Sequence, residues 1–566
     1  MAIGRDKIRL GNILIHQSAI TDEQLALSLE RQKDSGKKLG EVLVDEHILS
    51  ELQIGRALET QLGIAVVDLS GIVIPDSIIQ LVSAAILKKY QVIPYEFDSV
   101  NPNLLHLAMA DPMDMMAMDD ISIITNCQIE PYIATSKEIL LAIDKYYGDA
   151  EAISVAEQYT KERATLQLEL RGDEQESADV NHSPIVLLVN AMIEQAVRQR
   201  ASDIHIEALE KVVRVRYRID GTLYERIRYD VNLLSAIVAR VKIIGGMDIS
   251  EKRKPQDGRI TMVVDRQEYD IRVSILPTVF GEKVVMRLTS KMALTKEKKD
   301  LGFRADEMHI FDRILQNPHG IILVSGPTGS GKSTTLYTAL SELNKEDVNI
   351  VTVEDPVEAN IDGINQIQVN IKAELTFASV LRSILRQDPD IIMIGEIRDA
   401  ETAAIAVSAS ITGHLVVSTI HTNSATSTVT RLMDMGIDSY LIADATVGII
   451  AQRLVRRLCP CCKKAKMADE TEKKLLQQNL EADVIVYEPV GCPQCNQTGY
   501  YGRIGVYEIL EITPAIKRVI SRSGNADEIK DVALASGMHT LRMSATGYVL
   551  DGITSISEMA RVSFDL

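Results

Sequence analysis

The chain has 566 residues, 46% of them hydrophobic, with 61 basic and 79 acidic side chains and a net charge of −18. That length exceeds what one hydrophobic core serves and predicts about three to five domains, while the negative charge argues against a broad face for DNA or anionic lipid. No apolar run reaches the roughly 20 residues that cross a bilayer, and MAIGRDKIRLG has no secretory apolar core, so a cytosolic protein is expected.

Residues 9–32, RLGNILIHQSAITDEQLALSLERQ, return 29 positions later at 38–61 as KLGEVLVDEHILSELQIGRALETQ. Thr21–Gln24 and Ser50–Gln53 are capping-box patterns, so a helix is predicted to start at each. Leu25, Leu29 and Gln32 then fall on one helical stripe, as do Ile54, Leu58 and Gln61. Two readings follow: a helical bundle made by duplication with the leucines as core, or a duplicated surface for a ligand with two like halves.

Residues 64–147 read as a small α/β domain, with LLHLAMADPMD as a strand and turn. From 148 to 183 the chain is acidic and lacks sustained periodicity, the pattern of a linker. Residues 184–290 combine an amphipathic helix, PIVLLVNAMIEQAVRQRA, with strand-like runs such as VVRVRYRIDGTLYERI and QEYDIRVSILPT. The remainder, 291–566, opens as an α/β nucleotide-binding segment and ends in helices.

Within it, GIILVSGPTGSGKSTTLYTAL (320–340) reads as buried strand, glycine-rich turn and helix, and fits G-x-x-x-x-G-K-[ST] from Gly326 to Ser333. Gly326, Gly329 and Gly331 let backbone N–H groups face phosphates, Lys332 reaches the β- and γ-phosphates, and Ser333 suits Mg²⁺. Downstream, VTVEDPVEAN puts Glu354, Asp355 and Glu358 at the end of an apolar strand, and DIIMIGEIRD does the same for Glu396. Acids at the carboxyl ends of strands beside a phosphate loop suit metal coordination and activation of water, which points to nucleoside triphosphate hydrolysis. Asn344–Asp347 matches a guanine-reading N-K-x-D pattern but follows a helix only 12 residues after Lys332, so ATP is favoured. Cys459-x-x-Cys462 and Cys492-x-x-Cys495 have the spacing of a closed, structural Zn²⁺ site.

These stretches, with TGHLVVSTIHTN (412–423), ASDIHIE (201–207), KRKPQDGR (252–259) and IRVSILPTVFGEKVVMR, resemble the secretion ATPase superfamily, the hexameric motors of type II secretion and type IV pilus assembly. The resemblance implies a multidomain α/β fold: a helical N-terminal ligand domain over 1–63, an N1-type domain over 64–147, an N2-type domain over 184–290 and a RecA-like P-loop ATPase domain over 291–566 with a zinc module at 459–495. It makes Gly326, Pro327, Thr328, Gly329, Ser330, Gly331, Lys332, Ser333 and Thr334 the nucleotide loop. Glu354 and Glu358 become the acidic box, with Glu358 the candidate general base. Glu396 becomes the Walker B acid, and His414 and His421 the histidine box, with His421 favoured for sensing the γ-phosphate. Arg216, Arg259, Arg272 and Arg287 fall in matching motifs; Arg216 and Arg272 are the first choices for a cation brought to a neighbouring subunit's phosphates.

The doubled segment resembles the cyclic di-GMP-binding domain of some of these ATPases, such as that of the mannose-sensitive haemagglutinin pilus. The resemblance implies ligand contacts from Arg9, Leu10, Leu25, Leu29 and Gln32 and again from Lys38, Leu39, Ile54, Leu58 and Gln61, with Asp111 a further candidate. Lys38 replaces a planar arginine, and Ser18 and His47 stand where glycine is usual. The expectation is a cytosolic homohexamer recruited to an inner-membrane platform, extending a pilus under cyclic di-GMP control, with the type II secretion ATPase as the alternative. A DNA motor and a non-catalytic nucleotide-sensing adaptor are rivals of other classes.

Overall fold

In a computed structural model of the chain the structure describes residues 10–17, 19–35, 38–46, 48–69, 72, 74–144, 146–147, 184–265, 267–290 and 297–563. Arg9, Ser18, His47 and the linker at 148–183 lie outside the described residues. Two compact units are present, one of residues up to 266 with 271–288, the other of 267–270 with 289 onward.

Both capping boxes of the doubled segment form. Gln24 N donates to Thr21 Oγ1 at 3.2 Å and Thr21 N to Gln24 Oε1 at 2.9 Å; Ser50 and Gln53 repeat this at 3.3 and 2.8 Å. Each repeat is thereby a short helix followed by a longer one: α1 (Leu10–His16) and α2 (Asp22–Ser35), then α3 (Leu39–Asp45) and α4 (Glu51–Leu62). The helices exchange partners, α1 packing chiefly on α4 and α2 on α3. Leu14, Leu43, Ile20 and Leu49, matched pairs from the two copies, are buried in the core, and each fully buried leucine contributes roughly 1.5–3 kcal/mol. The glycine of each copy sits where a longer helix crosses: a Cβ on Gly11 would meet Leu25 Cδ1 at 2.8 Å, and one on Gly40 would meet Ile54 Cγ2 at 3.1 Å.

Next comes a three-stranded sheet in the order β1 (Val92–Phe97), β2 (Leu104–Met109), β3 (Gln128–Ile133). β2 and β3 are parallel, which their crossover helix Met115–Thr125 permits. The amphipathic helix Pro184–Arg198 buries Val186, Val189, Met192, Ile193 and Ala196, the positions its periodicity assigns. A six-stranded sheet accompanies it, ordered β6-β5-β4-β9-β8-β7, from β4 (Ala201–Ala208), β5 (Val212–Ile219), β6 (Thr222–Asp230), β7 (Gln256–Val264), β8 (Gln267–Thr278) and β9 (Gly281–Ser290).

The second unit is built on a seven-stranded sheet ordered β12-β11-β13-β14-β10-β15-β18. Its strands are β10 (Gly320–Ser325), β11 (Ile350–Glu354), β12 (Asn365–Gln368), β13 (Ile391–Ile394), β14 (Leu415–Ile420), β15 (Thr446–Leu458) and β18 (Tyr500–Glu511). Neighbours from β12 through β15 are parallel, and β18 returns antiparallel along β15. Helices cover both faces, so β10, β13 and β14 are buried throughout and read in sequence as largely apolar runs. Beyond Leu458 and before Tyr500 the chain forms a small hairpin, β16 (Lys464–Met467) with β17 (Ile485–Glu488). Four helices between Pro514 and Ser563 close the unit. Glu508 on β18, 2% exposed, accepts from Ala425 N at 2.8 Å and Leu541 N at 3.4 Å. It thus caps two helix N-termini from inside, and burial raises its pKa.

Candidate active site

Strand register decides which residues share the edge above β10. Ser325 pairs with Ile420 on β14 and Ala451 on β15, while Ile394 of β13 pairs with Val353 of β11 and Ser418 of β14. One step beyond those pairs the chain reaches Gly326, His421, Gln452, Glu354 and Gly395 together. This is the carboxyl edge of a parallel sheet, where open α/β folds bind their ligands.

Gly326 and Gly331 have φ of 145° and 91°, and each lies against β15. A Cβ on Gly326 would stand 2.5 Å from the Gln452 carbonyl oxygen, and one on Gly331 2.8 Å from Gln452 Nε2. The loop feeds the helix Lys332–Leu343, whose N-terminus favours anions. Lys332 Nζ donates to Gly326 O at 2.8 Å and Pro327 O at 3.0 Å. Burial lowers its pKa to about 8, Glu396 opposing and Arg453 reinforcing the shift.

Glu354 is 3% exposed. It accepts from Thr352 Oγ1 at 2.6 Å, from Gln366 Nε2 at 3.1 Å and from the hydroxyl of Tyr337. That same hydroxyl accepts from Glu358 N at 3.1 Å. Glu354 therefore secures a tyrosine of the loop's own helix, which in turn positions the backbone of half-buried Glu358. Glu396, just past β13, pairs with Arg398 and lies 3.6 Å from His421 Nε2. The two histidines part company. His421 follows the carboxyl end of β14, whereas His414 precedes Leu415, which pairs with Gly320 at the other end, so the two histidines stand seven positions and about 23 Å apart. His414 Nδ1 there meets Ala409 O at 2.9 Å, the contact of a packed residue.

On β5, Arg216 Nη2 donates to Glu207 Oε1 at 2.6 Å, joined by Arg214 at 2.8 Å and Lys283 at 3.2 Å. Burial pushes the Glu207 carboxyl up, but hydrogen bonds from Arg216, Arg214 and Lys283 outweigh it and bring it to about 2. Arg287 donates to Asp203 at 3.1 Å; Arg272 lies half-buried on β8 and Arg259 is exposed on β7.

Where β15 ends and β18 begins, the sulfurs of Cys459, Cys462, Cys492 and Cys495 lie within 4.8 Å of one another. Three separations are 3.7, 3.8 and 3.9 Å, against about 3.8 Å for the edge of a tetrahedron with metal–sulfur bonds of about 2.3 Å. Gly491 N donates to Cys462 Sγ at 3.3 Å and Gly499 N to Cys495 Sγ at 3.2 Å, the backbone support that thiolate ligands need. Cys461 is exposed and turned to Gln494.

In the doubled segment Leu29 is 40% exposed and Ile54 8%. Leu10, Leu25, Leu39 and Leu58 are half-buried against the core, as are Gln32 and Gln61 at its surface. Lys38 pairs with Asp111 of the following α/β segment, which raises the lysine pKa chiefly through that hydrogen bond. Sequence reasoning passed over Gln452 and Arg453. Their one signal was a polar pair inside the apolar run TVGIIAQRLV.

A phosphate loop at the carboxyl edge of a parallel sheet, flanked by Glu354, Glu358 and Glu396, defines a P-loop nucleoside triphosphatase. The family model for type II/IV secretion system proteins matches residues 178–561, and that of the MshEN domain matches 62–153, just after the doubled segment. The type IV pilus assembly ATPase PilB of Myxococcus xanthus is 43% identical over 562 residues, 97% of this chain and 98% of its own. The type II secretion system ATPase E of Vibrio cholerae is 49% identical over 381 residues, 67% of this chain and 76% of its own. The ATPase DotB of Yersinia pseudotuberculosis shares the fold, with a TM-score of 0.52 at 21% identity over 70% of this chain and 97% of that one. The chain belongs to the type II/IV secretion system family and is an ATP hydrolase. Among the described residues no helix is long and apolar enough to cross a membrane.

Proposed function

We propose that this chain is the homohexameric, cytosolic motor of a type IV pilus of the mannose-sensitive haemagglutinin type, docked on an inner-membrane platform and regulated by cyclic di-GMP. The observation that carries pilus assembly over secretion is the extent of likeness: it spans 97% of the chain for a pilus assembly ATPase and 67% for a secretion ATPase. A type II secretion ATPase is the alternative.

In this reading residues 326–334 cradle the phosphates of Mg²⁺-bound ATP and Lys332 neutralises them. Glu358, held by Tyr337, takes the proton of the attacking water. Glu396 serves the metal side, and His421 reads the γ-phosphate from the adjacent strand end. Arg216 and Arg272 serve a neighbouring subunit; the three cations around Glu207 leave an excess of positive charge there for a polyphosphate. Cys459, Cys462, Cys492 and Cys495 hold Zn²⁺ structurally. Cyclic di-GMP binds the doubled segment through exposed Leu29 and its half-buried neighbours, Arg9, which lies outside the described residues, Gln32, Lys38 and Gln61. The Lys38–Asp111 pair links that ligand surface to the next domain, and a coupling of about 1–3 kcal/mol suffices to gate the motor.

ATP turnover by the full chain tests the hydrolytic roles. Lys332→Ala and Glu358→Gln should each abolish it, and undiminished turnover refutes the assignments. Calorimetric titration of the full chain with cyclic di-GMP tests the switch. Heat that vanishes in Arg9→Ala and Leu29→Asp is expected; no heat at micromolar ligand returns the repeat to a scaffold.

A further inference from the structure

Gln452 and Arg453 are adjacent on β15, 2% and 6% exposed, in a strand that is otherwise apolar at this level. Consecutive strand residues face opposite sides of a sheet, and these two use both sides. Gln452 backs the phosphate loop: its carbonyl oxygen and amide stand against Gly326 and Gly331, and Thr335 Oγ1 on the following helix donates to its Oε1 at 2.8 Å. Arg453 turns to the segment that follows β14. Its Nη2 donates to the carbonyl oxygen and Oδ1 of Asn423 at 3.1 and 3.3 Å, and its Nη1 donates to Gln452 O at 3.1 Å. Asn423 is two residues past His421, which stands 3.6 Å from Glu396. A buried guanidinium is costly unless its donors are placed. Here both terminal nitrogens are placed on main-chain carbonyls, Nη1 on one beside the phosphate loop and Nη2 on one in the turn that carries His421.

We propose that Arg453 is a positioning residue for ATP hydrolysis: its fork joins the strand behind the phosphate loop to the His421–Asn423 turn and holds His421 opposite Glu396. Phosphate binding and the state of the histidine turn are then one mechanical element, with Arg453 as the joint. The lowering of the Lys332 pKa by the same guanidinium agrees with its place at the phosphate end. The proposal rests on the roles assigned above to Lys332, Glu396 and His421.

The test measures kcat and the affinity for a fluorescent ADP analogue in full-length wild type, Arg453→Met, His421→Ala and the double variant. Arg453→Met should lower kcat about tenfold or more while the analogue binds within about threefold of wild type. The double variant should be no slower than His421→Ala by more than about twofold, because both changes act on one turn. Losses that multiply, a wild-type kcat in Arg453→Met or His421→Ala, or analogue affinity falling in step with kcat overturn the proposal. Should Arg453→Met fail to fold, Arg453→Lys carries the same expectations, since it keeps the charge but lacks the planar fork. A wild-type chain without turnover overturns the hydrolytic reading together with this one, whereas active wild type with multiplying losses overturns this one alone.

Discussion

Burial holds the Lys332 ammonium at a pKa of about 8 against an ordinary 10.5, with Glu396 opposing and Arg453 adding to the shift. A bound triphosphate favours the charged form, so binding raises that pKa and takes up a proton. With the free-protein value at about 8, uptake should be about 0.1 proton at pH 7, 0.5 at pH 8 and 0.9 at pH 9. Affinity should correspondingly weaken as pH rises through 8, approaching tenfold per unit. The nucleotide's own phosphate titrates near pH 6, so the window from pH 8 to 9 isolates the lysine. In the nucleotide-free chain the unfolded state binds more protons between pH 8 and 10.5, and Lys332 makes stability rise with pH across that span. Calorimetric titration with a non-hydrolysable triphosphate, in buffers of different ionisation enthalpy, reads the uptake directly; Lys332→Arg, charged throughout, should remove its pH dependence. Uptake below about 0.1 proton at pH 9, or equal uptake in the arginine variant, would refute the reasoning.

Gly326→Ala drives a methyl group to 2.5 Å from the Gln452 carbonyl at a φ of 145°, so a loss of about 2–4 kcal/mol and of nucleotide binding is expected; an unchanged melting midpoint contradicts it. Metal chelation or Cys495→Ser should accelerate amide exchange across residues 459–499 while β10 and β14 keep their protection. His414→Gln, at the far end of β14, should turn over ATP within about threefold of wild type, and His421→Ala should be slower by tenfold or more; equal rates would undo the division of the two histidines.

What the sequence revealed was what short spacing encodes. The phosphate loop, both capping boxes and the paired cysteines depend on residues within a turn or two of each other, and all form as their patterns require. The separation of His414 from His421 was also legible, since the six residues LVVSTI between them, four of them apolar, make one buried strand. Three features were not. Gln452 reaches the phosphate loop only because β15 lies beside β10, a pairing across more than a hundred residues that no local pattern announces. The alternation VRVRYRI placed Arg214 and Arg216 on one face of β5, but Glu207, the carboxylate they share, comes from the neighbouring strand. For Glu354 the strand-end position suggested metal coordination or activation of water and gave no sign of its burial. It is buried because Tyr337, Thr352 and Gln366 supply its donors.

The exchange of partners among α1–α4 bears on what each copy needs in order to fold. A single 29-residue copy would leave its short helix without the long helix it chiefly packs on, which belongs to the other copy, and with only the lesser contact to its own. A synthetic single copy should therefore associate in pairs. Deleting one copy should destabilise the other, and a ligand seated across their junction would meet two like but unequal halves, Leu29 being 40% exposed where its counterpart Leu58 is half-buried.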